Sequence, residues 1–182
     1  MMASIARNSR FALRIWLSRV HDEATILDWL LPSSGVASGL IAGIVMAMFA
    51  MFKSFIGGTG FFFPTKMIAA TVFGVDALIG SSGVIFTGLM IHMMMSAIFG
   101  VIFAFLATRL NMGTALVSGV AYGAILWAGM TFIGLPLVNP TMAARVALMP
   151  VPWFVNHLIF GGMLFLTPTL YRAFPGRRQS ER

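Results

Sequence analysis

The chain contains no cysteine. Disulfides, thiolate metal sites and cysteine nucleophiles are therefore excluded, and cysteine usage is silent on redox compartment. Charge is almost as scarce. Only 9% of the residues are Asp, Glu, Lys or Arg, against about 25% in a soluble domain. Twelve basic and five acidic residues cannot give polar cover to a water-facing surface of a 182-residue chain, so lipid is the solvent that the composition fits. Acid is missing altogether from the long apolar segments. Metal hydrolases need several carboxylates or histidines converging on one ion, and an ion-driven pump needs charges along its path. Neither set is here, and no glycine-rich phosphate loop of the Walker type occurs. No residue is assigned as catalytic or as a metal ligand, and the chain is read as not an enzyme.

What is present is apolar. Hydrophobic residues make up 59% of the chain, which has the length of one domain. Residues 33–52 carry no charge, and about 20 apolar residues cross a bilayer core. Pro32-Ser33-Ser34 precedes them, and proline suits the first turn of a helix. Residues 56–66 read as a loop, because adjacent glycines and a proline interrupt the pattern. From Met67 to Thr108 only Asp76 is ionised at neutral pH. One helix of that length would be roughly 63 Å long, about twice the hydrocarbon thickness. It must break, and Gly80-Ser81-Ser82-Gly83 is the place. Residues 67–79 then form a short surface helix that keeps Asp76 near water, and 83–108 form the second span. A turn at Arg109-Leu110-Asn111 leads to a third span over 113–135. Asn139-Pro140 has the pattern of a helix N-cap followed by proline, which predicts a short helix over 140–148. The fourth span is 153–171, from the interfacial Trp153 to Tyr171 and Arg172.

The predicted fold is all-α, an integral membrane bundle of four transmembrane helices. A basic amphipathic segment over 1–32 precedes the 33–172 bundle, a basic tail over 173–182 follows it, and two short helices lie at the outer surface. Arg7, Arg10 and Arg14 follow helical spacing opposite Leu13, Trp16, Leu17 and Val20, a helix suited to an anionic membrane surface. A mitochondrial presequence is the competing reading, since it too is Arg-rich and poor in acid. His21, Asp22, Glu23 and Asp28 read as a solvated junction. The first long apolar run begins after residue 30 and is long enough to span, unlike a cleavable secretory signal.

The net charge of +7 does not point to nucleic acid, because the basic residues flank the apolar runs. Arg7, Arg10, Arg14, Arg19, Arg109, Arg172, Arg177, Arg178 and Arg182 fall on one side, and Lys53, Lys66 and Arg145 on the other. The positive-inside rule places the larger group, and both termini, in the cytoplasm.

Small residues recur at four-residue spacing. Gly35, Gly39, Gly43 and Ala47 line one face of the first span, Gly88, Ser96, Gly100 and Ala104 the second, and Ala115, Gly119 and Gly123 the third. Such stripes let helix backbones approach closely. His92 belongs to the stripe of the second span, four residues from both Gly88 and Ser96. It therefore faces a helix contact rather than lipid, and an ionisable group at that depth needs a partner. His157, next to Asn156 and one turn before Gly161, is the natural counterpart. His92, Ser96, Asn156 and His157 are candidates for a polar network, and Asp76 is a further candidate functional residue. An imidazole is also the side chain whose charge changes near neutral pH. The bland alternative is a neutral histidine bonded to a backbone carbonyl between helices. Met90, Met93, Met94 and Met95 surround His92, and thioethers bind Cu(I). They point in several directions round the helix, however, and methionine is a common packing residue. Haem held by His92 and His157 would need both rings to meet one iron, while their depths differ by roughly 7 Å. No cofactor is assigned.

The order of features resembles the YagU-like (DUF1440) family of small bacterial inner-membrane proteins. The resemblance covers roughly residues 33–172. It rests on the glycine-spaced first span, the outer segment after a proline, His92-Met93-Met94-Met95-Ser96, the Gly119 and Gly123 span, Phe132-Ile133-Gly134-Leu135-Pro136, and His157-Leu158. It implies a bacterial inner-membrane location and a part in envelope or acid-stress physiology. The acidic residue expected before the last histidine is absent. Three functions follow as expectations. The first is a non-enzymatic accessory or assembly subunit, which packs against other membrane subunits or copies of itself. The second is a small oligomeric channel or transporter with a polar path at His92, Ser96 and His157. The third is a haem- or copper-binding redox subunit.

Overall fold

A computed structural model describes residues 2–173, with side chains from Trp29 onward. The side chains of the basic N-terminal segment through residue 28, and the tail from residue 174, lie outside the described residues. Helix α1 runs Met2–Ile56, α2 Phe63–Phe73, α3 Ser82–Ala107, α4 Met112–Gly129, α5 Leu135–Val138, α6 Pro140–Leu148, α7 Pro150–Met163 and α8 Leu166–Ala173. No strand occurs among the described residues. Four helical stretches are long and apolar enough to cross a membrane: Trp29–Ile56, Ser82–Ala107, Met112–Val138 and Pro150–Ala173.

Several boundaries differ from those predicted, each for a local reason. Pro32 does not open a helix but lies inside α1. The turn beside it carries extra bonds, with Ser33 Oγ donating to the Trp29 carbonyl and Ser34 Oγ to that of Leu31. Helix α2 begins within the stretch read as a loop, because Pro64 occupies its first turn, where a missing N–H costs little. The loop proper is shorter and turns at Gly58 and Gly60, whose φ angles of 75° and 100° suit glycine. Two turns of 3-10 helix over Gly74–Ile79 then carry Asp76, which is exposed.

Helix α4 does not stop at residue 135. It widens into a π-helical turn over Met130–Gly134 and continues through Pro136 to Val138. Pro136 has no N–H to give the carbonyl one turn back, and the wider turn accommodates that loss. The fourth span likewise breaks at Leu164 and Phe165, between α7 and α8. Pro168 lacks the N–H that would reach the Leu164 carbonyl, and Thr167 N–H bonds that carbonyl instead, at 3.0 Å.

Helix α1 is the axis of the bundle. It packs on α3 along one face and on α7 and α8 along another, while α4 packs on α7 and α2 on α3. The glycine stripes are the contacts. Gly35 and Gly39 meet Gly100, and Gly119 and Gly123 meet Gly161. A Cβ on Gly35 would sit 2.6 Å from the Val101 Cα, so the approach is backbone to backbone. Gly43 lies against the Ser96 side chain, and Gly88 against the Thr65 carbonyl of α2. A buried Ser38 Oγ and Thr167 Oγ1, 2.8 Å apart, join α1 to α8. Arg172 ties the end of α8 to the α3–α4 turn by donating to the Leu110 carbonyl at 3.0 Å.

The two short helices are joined to each other. Asn139 is almost fully buried. Its Oδ1 accepts from Met142 N–H and caps α6, while its Nδ2 donates to the Met67 carbonyl and to Thr71 Oγ1 of α2, all at 2.9 Å. At the same end of the bundle, the Arg145 guanidinium lies over the Phe63 ring, 5.5 Å from its centroid.

Candidate functional site

Tight glycine contacts hold α1 against α3 and α4 against α7, but they do not fill the space between these pairs. Toward the end that carries α2 and α6, the bundle opens into a cavity of about 450 Å³. That is within the size range of small-molecule sites. Its wall is mostly apolar, with Met46, Met95, Phe99 and Phe160 among its residues, and Lys53 of α1 and Arg145 of α6 also line it. His92, Ser96, Asn156 and His157 all reach this one cavity. Tertiary packing brings them there from two helices, α3 and α7, that each lie against α1.

The four groups do not form the polar network; His92 instead shows the alternative reading, a bond to a backbone carbonyl between helices. His92 Nε2 lies 3.0 Å from the Gly43 carbonyl of α1. A carbonyl only accepts, so Nε2 carries the hydrogen. His157 Nδ1 lies 3.0 Å from the Trp153 carbonyl one turn earlier, so Nδ1 carries its hydrogen. Neither ring bonds the other or Asn156. The Ser96 hydroxyl donates to the His92 carbonyl at 2.8 Å and does not touch the imidazole. The nearest ring to His157 is Trp153, edge to face with centroids 4.3 Å apart. The Trp153 Nε1 hydrogen goes to Thr131 Oγ1 at 2.9 Å. Tyr122 donates to the Phe99 carbonyl at 3.0 Å.

Asn156 is the exception. It is 8% exposed, and its Oδ1 is buried with no hydrogen-bond partner. A buried polar group left unpaired costs about 1–3 kcal/mol, and Trp127 Nε1, which does not line the cavity, is buried without a partner in the same way.

The other candidates fall elsewhere. Asp76 is exposed in its 3-10 turn and is not part of the cavity wall. The glycines act at helix contacts, as described above. The methionines beside His92 diverge: Met90 and Met94 are exposed, while Met95 lines the cavity. No group of three or more His, Asp or Glu side chains gathers among the described residues. Three features were not singled out from sequence: the Gly43 carbonyl as the partner of His92, the Trp153 ring beside His157, and the two bonds from Asn139 to α2. The first and the last left a trace there, as a backbone carbonyl between helices for His92 and as the N-cap of α6.

The fold defines an all-helical protein with four helices long and apolar enough to cross a membrane. Residues 31–180 match the model of the family of unknown function DUF6789, and the chain belongs to that family. This overturns the resemblance to the YagU-like DUF1440 family. The motifs behind that resemblance were short glycine- and histidine-containing apolar strings. Close helix packing imposes such strings on unrelated bundles. No curated protein and no solved structure matches the chain.

Proposed function

We propose that this chain is a non-enzymatic multi-pass membrane protein that holds a small lipid-soluble molecule in the cavity beside α1, α3 and α7. One observation carries the reading: an apolar cavity of about 450 Å³ whose wall gathers His92, Ser96, Asn156 and His157 from two helices. Apolar walls with a few convergent polar groups are the usual form of a small-molecule site. The outward faces of the spans support lipid as the surrounding solvent. Phe105, Leu106, Val117 and Ile125 are each more than two-thirds exposed, an arrangement that water would oppose. The small-residue stripes that suggested an accessory subunit meet one another within the chain, which shifts the weight from stripe-mediated assembly to the cavity.

The test is what the protein retains. Wild-type protein purified from its membrane in mild detergent should carry a lipid-soluble molecule at near-stoichiometric amount, read by extraction and mass spectrometry. Ala50 lines the cavity on α1, and Ala50→Phe should fill part of it and lose most of that molecule while still folding. Equal retention by both proteins, or none by either, would refute the reading.

The orientation belongs to the same proposal. The basic asymmetry supports an orientation with both chain ends in the cytoplasm of a plasma (inner) membrane, in which the cavity would open toward the outer face. Reporter fusions after Arg109 and Arg182 should report cytoplasm, and fusions near Lys66 and Arg145 the outside. A C-terminal fusion active only outside would invert the topology.

A further inference from the structure

The hydrogen-bonding groups on the cavity wall are unequally committed, and that inequality restricts what fits. A neutral imidazole that donates through one nitrogen accepts through the other. The N–H of His92 is engaged with the Gly43 carbonyl and that of His157 with the Trp153 carbonyl. Nδ1 of His92 and Nε2 of His157 are left as acceptors without a protein partner. The Ser96 hydroxyl hydrogen is likewise engaged, with the His92 carbonyl, which leaves its oxygen lone pairs. The group with donors still free is the Asn156 amide, on a side chain more than nine-tenths buried: its Oδ1 is enclosed without a partner, and its Nδ2 makes no hydrogen bond to the described residues.

The complement of such a wall is a group that donates to an imidazole nitrogen and accepts from an amide N–H. A hydroxyl does both. A ketone or an ether only accepts and would meet the two ring nitrogens without a hydrogen to share. A cation is disfavoured by Lys53 and Arg145, which share the cavity wall with no acid. The walls around the polar groups narrow the rest of the ligand. Phe99, Phe160 and Trp153 are aromatic and Met95 is a thioether, and aromatic rings pack favourably on both.

From this we infer that the cavity takes a neutral, lipid-soluble molecule with a hydroxylated aromatic ring, a phenol or hydroquinone by class, its hydroxyl held between the free imidazole nitrogens and the Asn156 amide. The inference rests on the cavity being a binding site, and adds the chemistry of the occupant.

Titration of the full chain in lipid nanodiscs with 4-tert-octylphenol and with its methyl ether tests it. The two probes share shape and apolar bulk and differ in the hydroxyl hydrogen. After subtraction of partitioning into empty discs, the phenol should bind about tenfold more tightly than the ether, as one hydrogen bond of ordinary worth requires. Asn156→Leu should weaken both probes alike, because either oxygen accepts from its N–H, and should leave the tenfold ratio in place. Saturable binding of both probes with equal affinity would overturn the hydroxyl reading and leave the cavity as a binding site. No saturable binding of either would overturn both. The wild-type comparison decides between these outcomes by itself if Asn156→Leu does not fold.

Discussion

Gly39→Leu is expected to abolish accumulation of the folded protein. A Cβ at this position would overlap the Ser96 carbonyl oxygen and come within 3.0 Å of the Gly100 Cα. These are backbone atoms of a long helix, and they cannot move aside as a flexible side chain would. The substitution must push α1 and α3 apart along the contact that also places His92 against Gly43. Overpacking of side chains alone costs on the order of 1–3 kcal/mol, and a clash with backbone lies at or above the top of that range. The comparison is Ile44→Leu, on an exposed part of the same helix, which should behave as wild type. Size-exclusion profiles and melting in detergent report the outcome. A Gly39→Leu protein that elutes and melts like Ile44→Leu would show that α1 and α3 do not meet at this face.

Asn139→Ala is expected to lower stability by about 2–4 kcal/mol and to release α6 from α2. The truncation removes the cap on Met142 N–H together with both donors to α2, at a position that is 1% exposed. Asn139→Asp separates the two roles. It keeps an acceptor for the cap and loses the donors, so its loss should be intermediate. Denaturation in detergent gives the order of the three proteins, and limited proteolysis between α5 and α7 reports whether α6 has come free. Equal melting of wild type and Asn139→Ala would remove Asn139 as the clamp between the two short helices. Because Arg145 and Val146 of α6 line the cavity, release of α6 should also weaken retention of the bound molecule.

How much was legible beforehand depended on whether a feature is written along the chain or across it. The four apolar stretches were legible, because length and apolarity sufficient to cross a bilayer are displayed by any window of sequence. The start of α6 was legible, because an Asn-Pro cap acts within one turn. The break between α7 and α8 was not, although Pro168 causes it. An unbroken apolar run outweighs a single proline in a hydropathy reading, and the chain continues as helix after the missed bond. The passage of α4 through Pro136 was misread in the opposite sense, since a widened turn is a tertiary accommodation that leaves no mark on composition.

The site divides in the same way. That His92 needs a polar partner follows from the cost of a bare imidazole among apolar groups, and the four-residue glycine spacing assigns it to a helix contact. Both are properties of one helix. That the partner is the Gly43 carbonyl and not His157 or Asn156 depends on the register of α1 against α3, which close backbone contact at Gly39 and Gly100 decides. The sequence by itself determined an all-helical, apolar chain with its basic residues at or beyond the ends of the apolar stretches, because solvent and local backbone geometry act on each segment separately. Only the tertiary structure decided which stripe meets which. The cavity exists because the apolar side chains packed between α1–α3 and α4–α7, Phe103 and Leu164 among them, do not fill the end that carries α2 and α6.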